Sequence, residues 1–298
     1  MSWLHHPKFV PARDVALEQF RRGRLAFSRA YPVVFLCGGF NSSVRDRVAE
    51  YLRTRKSLLV FYADEVWAEI SSAAGENALA METRLAELAD LVILVVESPG
   101  TFAELGAFSS HPTLRKKLLP ILEESFKNQP SFINSGPVHW IDSDSRYAPS
   151  IWVSHKSVLL CAGELDERLD RLPSQFERRA RELHSSLKHL LLLVTDTVTV
   201  FAPCRLEHVQ FYVQSILGRD ACVSTATLLA LAKSIGLISS VAGEDGGSIY
   251  WRRVEHQPLR ASDHKISLPF STLRARLVAA MQAIPAALKD LRFIASGK

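Results

Sequence analysis

The feature that most constrains this chain is a series of short, unbroken apolar runs: Val33–Cys37, Leu58–Tyr62, Leu91–Val96 and Leu118–Leu122. A run with no polar residue fits a strand covered on both faces. Val138–Ile141 reads as one more strand. Between the runs, apolar residues recur at helical spacing, at Val44, Val48 and Leu52 and again at Ala78, Met81, Leu85 and Leu88. A further helix spans Thr101–Ser109, and residues 13–29 read as a leading amphipathic helix. Alternation of strand and helix predicts an α/β fold, a Rossmann-like or flavodoxin-like parallel sheet flanked by helices.

Beyond Pro173 the pattern changes. Helices are expected over 175–195, Leu206–Leu217 and Thr225–Ile235, the last with Ser224 as N-cap. Ile238–Val241 and Ser248–Arg253 then flank a glycine-rich turn, which is a hairpin signal. Helix, helix and hairpin predict a smaller, mostly helical winged helix-turn-helix domain. A closing helix over Leu273–Leu291 is kinked or divided by Pro285. The expected domains are 1–172 and 173–298.

Charge separates the two parts. The whole chain carries +5, but residues 1–170 hold 19 Lys+Arg against 21 Asp+Glu, and residues 171–298 hold 17 against 10. An acidic working domain followed by a basic docking domain is the expectation. The apolar stretch from Leu190 is broken by Asp196 and threonines, which argues against a membrane span. The N-terminal residues Met1–His6 lack an apolar signal core, so a cytoplasmic protein is expected. Cys37, Cys161, Cys204 and Cys222 form no CxxC pair and read as buried reduced thiols. His184, His189 and His208 have no ligand partners at metal spacing, so no metal is expected.

In such a sheet, ligands bind beyond the carboxyl ends of the strands. Three segments there are suggestive. Gly38-Gly39-Phe40-Asn41 could bring backbone and a helix N-terminus to a phosphate, or could be a tight strand-to-helix turn. Tyr62 ends the second run and Asp64 follows it; Asp64 suits a ribose hydroxyl or a helix cap. The third segment is Glu97-Ser98-Pro99-Gly100-Thr101-Phe102-Ala103-Glu104-Leu105-Gly106. Here Gly100-Thr101 opens a helix with Glu104 one turn in, and Gly106 admits close approach. A carboxylate in this position can serve as nucleophile, or stabilise a positively charged sugar carbon. A glutamate that merely favours the helix N-terminus is the other reading.

Gly100-Thr-Phe-Ala-Glu-Leu-Gly106 resembles the motif of nucleoside 2-deoxyribosyltransferases, in which a glutamate two residues before a glycine attacks the anomeric carbon. The resemblance assigns that role to Glu104, and base or sugar contact to Glu82, where the family commonly has Asp. Phe35–Gly39, Phe61–Glu65 and Glu97–Phe108 together resemble retron-associated effector proteins, with a deoxyribosyltransferase-like domain before a winged-helix DNA-binding domain. That resemblance implies an anti-phage toxin that cleaves the N-glycosidic bond of NAD+ or a related nucleotide. NAD+ is then substrate, and no cofactor is implied. A reverse transcriptase and its RNA-linked multicopy single-stranded DNA would hold the toxin inactive, and a homo-oligomer or filament with that complex is a further expectation. Gly38, Gly39, Phe40, Asn41, Tyr62, Asp64, Glu82, Glu97, Ser98, Gly100 and Thr101 are the expected substrate contacts.

In the basic part, Arg178, Arg179, Arg181, Lys233, Arg252 and Arg253 are candidates for a nucleic acid or partner. Residues 225–235 are too apolar for a base-reading helix, so electrostatic docking is favoured. The other functional readings are a non-enzymatic nucleotide-sensing winged-helix regulator and a nucleoside 2-deoxyribosyltransferase.

Overall fold

The computed structural model describes residues 2–22, 32–55, 58–62, 78–173, 187–218, 223–252 and 270–296. Asp64, Arg178, Arg179, Arg181, Arg253, Cys222 and His184 lie outside them. The chain divides into two compact units. One comprises Tyr31–Phe176, and the other combines Met1–Ala30 with Glu177–Lys298.

The first unit holds β1 (Val33–Cys37), α2 (Ser43–Arg53), β2 (Leu59–Phe61), α3 (Ala78–Leu88), β3 (Leu91–Val96), α4 (Pro99–Ser110), α5 (Pro112–Arg115), β4 (Leu118–Glu123), α6 (His139–Asp144), β5 (Ile151–Val153) and α7 (Ala162–Leu169). The sheet order is β2-β1-β3-β4-β5, and every pairing is parallel. This is the flavodoxin-like order, whose direction of winding reverses between β1 and β3. Every residue of β1 and β3 is buried, because helices cover both faces. One face presents Val34, Leu36, Ile93, Val95, Leu119 and Ile121 to Val48, Ala49 and Leu52 of α2 and to Leu165 and Leu169 of α7. The opposite side chains of β3 and β4 meet α4. Asp90 enters β3 by accepting the Val33 backbone N–H at 2.8 Å, and the Tyr147 hydroxyl donates to the Asp90 carbonyl at 3.0 Å.

Val138–Ile141 is helical, not a strand: a π-turn over Asn134–Val138 leads into α6. Val138 and Ile141 are buried at i, i+3 spacing, which one helix face provides as readily as a short strand. The fifth strand comes later, at Ile151–Val153.

The second unit holds α1 (Val10–Arg21), α8 (Leu187–Phe201), α9 (Leu206–Leu217), α10 (Thr225–Ser234), the antiparallel hairpin β6 (Ile238–Ala242) and β7 (Ser248–Arg252), α11 (Phe270–Gln282) and α12 (Pro285–Ser296). Pro285 begins the last helix, so the expected closing helix is divided there. Residues 1–30, expected with the sheet, cluster with this unit instead. Phe20 stacks on Phe201 at 6.2 Å, Arg13 lies over the Phe211 ring at 4.8 Å, and the Arg21 Nε donates to the Ser215 carbonyl at 2.9 Å. An amphipathic helix buries its stripe wherever a complementary face exists, and sequence order does not dictate which face. The division sharpens the charge contrast: Tyr31–Phe176 carries 14 Lys+Arg against 19 Asp+Glu, and the remainder 22 against 12. Among the described residues, no helix is long and apolar enough to cross a membrane.

Candidate active site

The loops after β1 and β3 meet at the reversal point of the sheet. The Glu97 carboxylate accepts the Gly39 backbone N–H at 3.0 Å. A Cβ on Gly39 would stand 3.2 Å from Glu97 Oε1, so glycine lets the carboxylate approach. A Cβ on Gly38 would stand 3.0 Å from the stem of Arg45, which is buried in the first turn of α2. The Arg45 guanidinium lies 4.8 Å from the centre of the Tyr62 ring, and Arg53 lies 5.2 Å from it. Such stacking holds cations in place by the ring's negative face. Sequence reasoning missed Arg45; its place three residues after the N-cap Ser42, on a helix leaving the Gly-Gly turn, was the available signal.

Several expected substrate contacts prove to be engaged within the fold. Ser98 is the N-cap of α4 and forms a capping box with Thr101. Thr101 is 1% exposed, and its hydroxyl accepts the backbone N–H groups of Glu97 and Ser98, each at 2.9 Å, and donates to the Ser98 carbonyl at 2.8 Å. It therefore shapes the loop and does not face a ligand. Tyr62 is buried beneath the two arginines. Phe40 is exposed, and Asn41 adopts a left-handed φ of 55° before Ser42 caps α2. Gly100 is exposed in the first turn of α4, and Glu82 is half-buried on α3.

Helix α4 begins at Pro99, two residues earlier than expected. Glu104 is thus its sixth residue, beyond the turn where a helix dipole acts strongly. Glu104 is half-buried, with its Oε2 shielded from water. At 100° per residue, Glu104 projects about 200° away from both Phe102 and Gly106. Gly106, expected to admit a ligand beside Glu104, therefore opens on the opposite flank, where an added Cβ meets nothing within 4 Å among the described residues.

That opposite flank carries a cavity of about 350 Å³ at the carboxyl ends of β3, β4 and β5, lined among others by Glu97, Phe102, Glu123, Trp152 and His155. Only Glu97 of these was anticipated. Phe102 stands on α4, while Glu123, Trp152 and His155 lie at or just beyond the ends of β4 and β5, which the same strand-end rule flags once β5 is placed.

In the helical unit, Arg252 is half-buried; burial pushes its guanidinium pKa down, and the buried Asp196 opposes this. It is thus not a freely presented phosphate contact. Lys233 is half-buried near the end of α10, whose Leu228, Leu229 and Leu231 are core. His208 is fully buried beside Asp290 and Arg205. Cys37, Cys161 and Cys204 are buried and form no disulfide.

The family described as STM3845 retron effector protein matches residues 41–240. The chain is 37% identical over 142 residues to the retron Ec86 putative ribosyltransferase/DNA-binding protein of Escherichia coli, covering 46% of this chain and 43% of that one. It is 38% identical over 122 residues to the retron Ec73 putative ribosyltransferase/DNA-binding protein of the same organism, covering 38% and 39%. The matches thus span less than half the length of these relatives.

Proposed function

The chain belongs to the STM3845 retron effector family, and from that premise we propose that it cleaves the N-glycosidic bond of NAD+ or a related nucleotide through Glu104. The observation that carries this reading is Glu104 itself: a half-buried carboxylate in the second turn of the helix that follows the central strand β3, whose carboxyl end borders the reversal point of the sheet. Both relatives are named putative ribosyltransferases, which is chemistry at the same sugar carbon.

In the proposed reaction, the bond from C1′ to the base nitrogen breaks and its electron pair leaves with the base. For NAD+ this discharges the pyridinium, so nicotinamide departs neutral and needs no proton. The Glu104 carboxylate bonds to C1′ or stabilises its positive charge. Water then adds at C1′, displaces the Glu104 carboxylate where that bond has formed, and releases a proton to solvent, which from NAD+ yields ADP-ribose. Arg45 and the Gly38-Gly39 turn are the proposed phosphate contacts, for which the Gly39 N–H must first exchange Glu97 for a phosphate oxygen. Glu82 and Asp64 are the proposed contacts to sugar or base.

The second unit is proposed as a winged-helix docking module that binds the retron's reverse transcriptase and RNA-linked DNA, which keep the toxin silent in the cytoplasm. Its excess of basic residues supports that role. The deciding experiment expresses the wild type and Glu104→Gln without the other retron components and follows cellular NAD+ and growth. The variant is expected to keep its melting temperature while losing NAD+ depletion and toxicity. Undiminished NAD+ loss in Glu104→Gln overturns the assignment.

A further inference from the structure

We propose that the cavity at the carboxyl ends of β3, β4 and β5 binds an amino-bearing heteroaromatic base, on the flank of α4 that faces away from Glu104. Three features carry this. The first is shape: at about 350 Å³ it lies in the range of small-molecule sites. Phe102 and Phe126 line it while remaining 40% and 54% exposed, and Trp152 adds a third ring. Large aromatic residues left open around a concave site offer flat apolar faces on which a planar ring stacks.

The second feature is charge. The cavity is lined by the carboxylates of Glu97 and Glu123 and by His155, and among the described residues by no lysine or arginine. An anionic phosphate is disfavoured there. An exocyclic amino group, as on adenine, supplies the N–H donors that a carboxylate accepts.

The third feature is an unmet polar atom. Nε2 of His155 is shielded from water and has no hydrogen-bond partner among the described residues. His155 is fixed by its own backbone N–H, which donates to Glu123 Oε2 at 2.9 Å. A buried polar atom left without a partner is costly, and a ring nitrogen of a bound base would satisfy it. The wall opposite is also built. Asn134 Nδ2 donates to the carbonyls of Phe126 and Gln129, each at 2.9 Å, and so holds the loop that carries Phe126.

This inference does not rest on glycosidic chemistry at Glu104, because binding is read without turnover. The test is calorimetric titration of the full chain with adenosine, with inosine (which lacks the amino group) and with ribose 5-phosphate. Adenosine is expected to bind about tenfold or more tightly than inosine, and ribose 5-phosphate not to bind. Trp152→Ala and the isosteric Glu123→Gln should each weaken adenosine by about tenfold or more. If Trp152→Ala does not fold, Glu123→Gln decides. The proposal is overturned if adenosine does not bind, if inosine binds equally well, or if Glu104→Gln abolishes binding that Glu123→Gln retains.

Discussion

The Glu97 carboxylate holds the Gly39 amide at 3.0 Å, and this single bond ties together the two strand ends between which the sheet reverses. A hydrogen bond to a charged acceptor contributes about 1.5–3 kcal/mol. Glu97→Gln keeps an oxygen for the amide and should lower stability by about 1 kcal/mol, whereas Glu97→Ala should cost about 2 kcal/mol. Thr101→Val is the companion test: it removes the acceptor of two backbone N–H groups and should cost about 2 kcal/mol, whereas Thr101→Ser keeps it. Urea denaturation of the four variants measures the ranking, and a Thr101→Val protein as stable as wild type would refute it.

Gly106 sits inside α4, and among the described residues nothing stands within 4 Å of where a side chain would begin. Gly106→Ala should therefore raise stability by about 0.5–1 kcal/mol, the ordinary difference between the two residues in a helix. Because Gly106 projects away from Glu104, NAD+ depletion should stay at the wild-type rate. A drop in activity would show that substrate reaches around the helix to both flanks.

The acid limb of stability should belong in part to His208. Burial pushes its pKa down to about 4, with Arg205 and His5 acting in the same direction and Asp290 opposing. The Arg205 backbone N–H donates to Nδ1, so Nε2 carries the proton and donates to Ser2 Oγ at 2.8 Å. Glu207, 3.7 Å from Nε2, is the nearest acid on its own helix. The unfolded chain takes up a proton near pH 6.5 and the folded chain only near 4. The stabilising contribution is thus complete above about pH 6.5 and is lost as pH falls towards 4, by up to about 3 kcal/mol. His208→Asn should flatten this part of the stability–pH curve; an unaltered slope would exclude His208 as its source.

Charge reversal at Arg252 should damage the fold before it tests docking. The guanidinium is half-buried and interacts with the buried Asp196, so Arg252→Glu places two carboxylates together. A loss of about 3 kcal/mol is expected, seen as a lower melting temperature without any nucleic acid. Lys233→Gln, which introduces no buried charge, should lower melting less than Arg252→Glu does. If Lys233 contacts phosphate, the salt dependence of nucleic-acid binding falls by about one unit of slope.

Which parts were legible in the sequence follows from what each signal encodes. β1 and β3 could be read to the residue because strands covered on both faces leave an unmistakable apolar run. The fifth strand could not: Ile151–Val153 is only three residues, and the equally apolar Val138–Ile141 turned out to be helical. That exchange hid the end of β5, and with it Trp152 and His155; β4 was read as a strand, but Glu123 at its end was not singled out. Glu104 was visible because its motif is local, whereas the pairing of Glu97 with Gly39 spans 58 positions and needs the strand order to be known. Ser98 and Thr101 were found as a pair but assigned to substrate, because a sequence does not show that a hydroxyl is already saturated by backbone.

The attachment of residues 1–30 to the C-terminal unit makes the sheet unit an insert, with the chain leaving the helical unit once and rejoining it once. A guest tethered at both ends cannot be released by one cut. Proteolysis in either connecting stretch leaves the helical unit assembled from two pieces and the sheet unit still attached to one of them. It also gives the protein a design boundary: replacing residues 31–176 with a short flexible linker should yield a basic helical module that folds with its own N-terminal helix, while truncation at residue 173 strips that helix away.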